Sequence, residues 1–121
     1  MIPTPRNKTE TKIGKITAAS VGFGGYQDCC FGLSLTFESK KEGWGTCTFS
    51  GPWSPAKLER SNSAQWSEAD RDKQFVELGR LIDRTLHEAN VDSVASLVGI
   101  PVEVTFEDRI LKDWRILTEA I

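Results

Sequence analysis

Two groups of residues in this 121-residue chain have the types and spacing to do chemistry. The first is Gly22-Phe23-Gly24-Gly25-Tyr26-Gln27-Asp28. Its glycines permit positive φ and the close approach of a ligand, Phe23 and Tyr26 stand at the rim, and Asp28 adds a carboxylate. A dinucleotide-binding loop needs a strand before it and a helix after it; here a strong strand follows, so a Rossmann reading fails. The ordinary alternative is a bulged hairpin whose aromatics pack on a neighbour. The second group is Trp44, Trp53 and Trp114 with Arg109, Lys112 and Arg115. Indoles stack on rings and accept cations on their faces, and the basic side chains suit a nucleotide or another anionic ring. Alternation puts Lys112 on the face of Trp114, Arg115 on the opposite face and Arg109 in a hairpin turn. Core packing is the ordinary role of any single Trp.

Catalytic sets are absent. His87 is the one histidine, near the carboxyl end of a predicted helix where the dipole favours an imidazolium, and no nucleophile is placed beside it by the sequence. No H-E-x-x-H, P-loop or G-x-S-x-G pattern occurs. Cys29, Cys30 and Cys47 form an odd set, and vicinal strand residues project to opposite faces, so a zinc site is not expected and reduced thiols are. No metal and no cofactor are implied.

These residues need a scaffold, and the composition supports one compact domain: 39% of residues are apolar, 26% are charged, and six Phe and four Trp supply bulk. Neither an apolar run of spanning length nor a secretory signal is present, which predicts a soluble, cytosolic protein with no membrane partner. The net charge of −2 argues against a dedicated duplex-DNA binder. That average conceals a basic segment over residues 1–15, with Arg6, Lys8, Lys12 and Lys15 against Glu10, a balanced middle, and an acidic segment beyond residue 58. We expect residues 1–11 to be a flexible basic leader, since Pro3 and Pro5 interrupt it and no apolar period runs through it. Residues 12–121 then form a single domain.

Its elements follow from periodicity. A β-favouring stretch runs from Lys12 to Phe23, with a loop or bulged strand end over 22–28. Cys29, Phe31, Leu33, Leu35 and Phe37 alternate with polar residues as a half-buried strand. After a Lys40-Lys41-Glu42-Gly43 turn, 44–49 alternates again, completing a three-stranded meander. A long connection over 50–65 holds Trp53. Ser67 is the expected cap of a helix whose stripe is Phe75, Leu78, Ile82, Thr85, Leu86 and Ala89, with Asn90 as its stop. Asp92 is the expected cap of a short helix over 93–98, ended by Gly99. A hairpin closes the chain, with Val102, Val104 and Phe106, a Glu107-Asp108 turn and a strand from Ile110 to Leu117. Two registers compete for it, one pairing Glu103 with Lys112 and one setting Val102 near Trp114 and Phe106 near Ile110; they differ by about 1 kcal/mol. Apolar groups on both faces of 110–117 predict a central strand or one covered on two sides. The expected fold is α+β, an antiparallel sheet of about five strands packed by one long and one short helix.

Gly22-Phe23-Gly24-Gly25-Tyr26-Gln27-Asp28, Gly43-Trp44-Gly45, Trp66-Ser67-Glu68, Pro101 to Glu107 and Trp114 to Glu119 together resemble a family of small uncharacterised phage and prophage proteins, over residues 12–121. The basic leader and the Lys40-Lys41 turn stand apart from that pattern. The resemblance implies a product of a mobile element in a bacterial cytoplasm, where small non-enzymatic domains bind and block host components. The expectation is therefore a non-catalytic binding module, with its site at Phe23, Gly24, Gly25, Tyr26, Asp28, Trp44, Trp53, Arg109, Lys112, Trp114 and Arg115. Its partner would be a host defence protein or a nucleotide signal, and a homo-oligomer is compatible with it. Two alternatives stay open: a single-strand nucleic-acid accessory using aromatic stacking, and a small enzyme acting through Asp28, His87 or Arg115.

Overall fold

The computed structural model describes residues 8–25, 30–53 and 68–121. Five strands form one antiparallel sheet: β1 (Thr9–Gly24), β2 (Cys30–Ser39), β3 (Trp44–Ser50), β4 (Pro101–Glu107) and β5 (Ile110–Ile116). Their spatial order is β3-β2-β1-β4-β5. One long helix, α1 (Glu68–Ala89), and two 3-10 turns, Val94–Leu97 and Thr118–Ala120, complete the α+β fold.

β1 organises the sheet because it changes partners along its length. Thr9 to Lys15 pair with β4, and Lys15 to Gly24 pair with β2. Lys15 itself stands opposite both Pro101 and Glu38. Immediately after the switch, Thr17 is an extra residue between the Ile16–Phe37 and Ala18–Thr36 pairs, and its hydroxyl donates to Glu38 Oε1 at 3.0 Å. A bulge increases local twist, so the strand turns from one partner to the other and the sheet curls. Thr9, Glu10 and Thr11 therefore belong to a strand, although prolines upstream suggested that the leader runs to residue 11. Their ladder opposite Glu107, Phe106 and Thr105 orders them, and Lys8 N–H donates to Asp108 Oδ1 at 3.0 Å. Residues 1–7 lie outside the described residues. At the other end β1 continues through Gly22, Phe23 and Gly24, paired with Gly32, Phe31 and Cys30; residues 26–29, where the loop and the start of the second strand were expected, are not among those described.

The inner face of the sheet carries Ile16, Leu33, Leu35, Phe37, Val102, Val104 and Ile116, each nearly or wholly removed from water. Leu78, Ala89 and Leu97 close on them from α1 and the first 3-10 turn. The predicted stripe of α1 holds: Thr85 is buried, and its hydroxyl donates to Leu81 O at 2.7 Å, which satisfies that buried group. The helix ends in a Schellman arrangement. Asn90 is at φ 57, its N–H donates to His87 O, and Val91 N–H reaches back to Leu86 O. Ser67, the expected cap at the other end, is outside the described residues. The short helix is a 3-10 turn, and Ser93, rather than Asp92, holds its N-cap position.

The C-terminal hairpin takes neither expected register. Glu103 opposes Arg115, Val104 opposes Trp114, and Glu107 opposes Ile110, so the turn is Asp108-Arg109 and not Glu107-Asp108. Both turn residues have positive φ, 53 and 70, as a type I′ connection requires. Beyond Leu111 the register slips by one, leaving Lys112 as the extra residue of a bulge. The bulge sends Leu111, Trp114 and Ile116 all to the core face. β5 is nonetheless an edge strand, not a central one, because it stands last in the strand order and, among the described residues, pairs with β4 alone.

Candidate functional site

Among the described residues, those singled out from the sequence are dispersed by this sheet. Trp44, at the start of β3, curls over the inner face, with its ring 5.6 Å from that of Phe106 in an edge-on contact. Trp114, on β5, lies against Phe37 at 5.2 Å. Both indoles are core aromatics that close the two ends of the curled sheet. Trp53 follows β3 in a single antiparallel bridge to Cys30, and Pro52 O accepts Phe31 N–H at 2.8 Å. These contacts tie the end of β3 back onto β2.

The basic members go elsewhere. Arg115 is on the outer face, where its guanidinium meets Glu103 at 3.1 Å and Glu119 at 3.0 Å. The Glu119 hydrogen bond, with that of Glu103, raises its pKa further above the ordinary arginine value, and the same contact lowers that of Glu119. Lys112, which plain alternation set beside Trp114, is displaced by the bulge and pairs with Glu107; that hydrogen bond raises its pKa. Arg109 is exposed in the hairpin turn. Arg115 and Lys112 are thus matched by carboxylates of the chain, and this part of the surface has no net excess of positive charge with which to hold an anion.

The glycine loop resolves in the same way. Phe23 is 59% exposed and meets Phe31 edge-on at 5.9 Å; Phe31 in turn lies 6.1 Å from Phe75, which carries Arg71 over its ring at 5.2 Å. A Cβ on Gly24 would stand 2.6 Å from Phe49 Cε2, and Gly25, at φ 73, leaves room for Cys30. These two glycines make space for the protein's own side chains. Tyr26 and Asp28 are outside the described residues. His87 is exposed near the end of α1, and among the described residues no group of His, Cys, Asp or Glu is arranged to hold a metal ion.

A different place has the form of a binding site. On the outer face, where β1 changes partners, a groove of about 430 Å³ is lined by Ile13, Lys15, Glu38, Lys40, Lys41 and Pro101, among others. That volume falls within the range of about 300–1,000 Å³ usual for small-molecule sites. Ile13, half exposed, and Pro101 make an apolar floor. Lys15 reaches it from β1, and Lys40 and Lys41 from the turn between β2 and β3. Glu38 is the one acid among the described lining residues, and its carboxylate accepts the Thr17 hydroxyl. Three lysines and one glutamate therefore line a groove with exposed hydrocarbon, a composition suited to an anion with an apolar or planar body.

No family model, curated protein or solved structure matches the chain. The function must be argued from these side chains. Among the described residues no helix is long and apolar enough to cross a membrane. The lysine groove was missed in the sequence because its parts are far apart in the chain and Lys40-Lys41 reads as an ordinary solvated turn. One signal was present: Ile13 and Lys15 alternate onto the same face as Thr17, an exposed apolar residue beside a cation.

Proposed function

We propose that this protein is a non-catalytic binding module that sequesters a small amphipathic anion of the nucleotide class in the groove of Lys15, Lys40 and Lys41, and so removes a signal from a bacterial host. The observation that carries the reading is the excess of lysine around an apolar floor. Lysine ammonium groups hold phosphate as point charges, and Ile13 with Pro101 offers a surface for a base or sugar. The mobile-element setting comes from the family resemblance of the sequence and gives a reason to bind without turnover. Single-strand nucleic-acid binding by aromatic stacking draws less support, because two of the indoles that could stack on bases, Trp44 and Trp114, pack on the core.

Calorimetric titration of the purified chain with mono-, di- and cyclic nucleotides at low salt tests the proposal. Saturable binding to at least one is expected. A Lys40→Ala/Lys41→Ala variant should weaken it at least tenfold, since a hydrogen bond to a charged group is worth about 1.5–3 kcal/mol. No binding to any nucleotide, or binding indifferent to both lysines, would overturn it.

A further inference from the structure

The two edges of the sheet are built differently. β5 has Lys112 in a bulge and Asp113 and Arg115 along its length, the devices by which edge strands discourage pairing with another chain. β3 has none. From Gly43 to Gly51 there is no charged residue and no proline, and its register with β2 runs from Ser39–Trp44 to Leu33–Ser50 without a shift. Among the described residues no strand pairs with its outer side.

We propose that this edge receives a second copy of the same chain, β3 against β3, antiparallel about a two-fold axis through Cys47. The occupant follows from self-complementarity. Cys47 is the middle residue of the seven-residue strand, and a two-fold there uses its whole length. On the inner face Thr46 then stands opposite Thr48 of the second copy and Trp44 opposite its Ser50. On the outer face Gly45 stands opposite Phe49, whose ring is turned back over Gly24 and Gly25 of its own chain, so nothing on that face blocks the approach. The threonine pairs favour antiparallel pairing, and no like charges meet. Such an interface is isologous and closes after two copies, giving a continuous ten-stranded sheet rather than a fibre. A charged peptide would gain nothing from this neutral edge. The inference is independent of the lysine groove, whose residues it does not use.

Sedimentation equilibrium over a dilution series provides the test. The wild-type chain and Cys47→Ser should sediment at twice the 13.5 kDa chain mass at the concentrated end. Cys47→Lys, which sets two ammonium groups opposite each other at an exposed position, should be monomeric at the same concentration with an unchanged melting temperature. A short bismaleimide applied to a Cys29→Ser/Cys30→Ala chain should give a covalent dimer through Cys47, which serves if Cys47→Lys fails to fold. A wild-type monomer at every concentration, a Cys47→Lys dimer, or no cross-link would overturn the proposal, as would a monomer that captures extended peptides along β3.

Discussion

The indole of Trp44 occupies the space into which a side chain on Gly14 would grow. A Cβ there would stand 2.8 Å from Trp44 Cζ2 and Cη2 and 2.7 Å from Glu38 O. The carbonyl is backbone and cannot swing aside, so this pair fixes how tightly β2 and β3 curl over the first half of β1. Gly14→Ala should cost about 1–3 kcal/mol through overpacking, read as a lower urea midpoint with an altered Trp fluorescence maximum. An unchanged midpoint would show that the curl is loose.

Phe37 is wholly buried, and its ring is 5.2 Å from that of Trp114, which joins β2 to β5 across the inner face. Phe37→Ala should lose about 3–5 kcal/mol, a large part of the 5–15 kcal/mol usual for a domain. Thermal unfolding followed by near-ultraviolet dichroism checks it, because the signal of Trp114 should weaken even where the variant stays folded.

Arg109 adopts φ 70 in the hairpin turn, a conformation that costs a non-glycine residue about 1–2 kcal/mol. Arg109→Gly converts the turn to Asp-Gly, the favoured type I′ pair. After the larger chain entropy of glycine is set against the relief, a net gain of about 0.5–1 kcal/mol in chemical denaturation is expected. The same variant should leave nucleotide titrations unaltered, since the turn is not among the residues lining the groove.

Glu119 is lowered in pKa chiefly by its hydrogen bond to Arg115, so the stability it contributes is present above its unfolded value and is lost as pH falls through the folded one. Lys112 is the opposite case. Its hydrogen bond to Glu107 raises it, so its contribution is present below the unfolded lysine value and lost as pH rises through the folded one. A carbon-detected titration should place the Glu119 midpoint below the ordinary glutamate range and return it there in Arg115→Gln. Both groups are exposed, so the effect on melting temperature should be small.

What the sequence made legible was local. The alternation of Phe31, Leu33, Leu35 and Phe37 and the stripe through Leu78, Thr85 and Ala89 depend on neighbours two to four residues away, and both are where periodicity puts them. The register of the hairpin was hidden because its competitors differ by about as much as a single cross-strand pair. The bulge at Lys112 then changed which side chains share a face, and with it the apparent grouping of Trp114 and Lys112. Positive φ at Arg109 leaves no trace in residue type. The groove was invisible for a related reason: it exists only where β1 passes from one partner to the other, a relation between residues 13–15, 38–41 and 101.

That hand-over in β1 also sets the order in which the chain can fold. Its second half can zip onto β2 as a local hairpin within microseconds. Its first half must wait for β4, and the contact of Lys8 with Asp108 spans 100 residues. On the ribosome, where residues emerge at about 5–20 per second, the amino-terminal half of β1 therefore stands without its partner until β4, Pro101–Glu107, has been made. Loop closure over such a distance is what makes non-local sheets slow to form. The seven residues that begin β1 are the first of the sheet to be synthesised and belong to the last ladder to close.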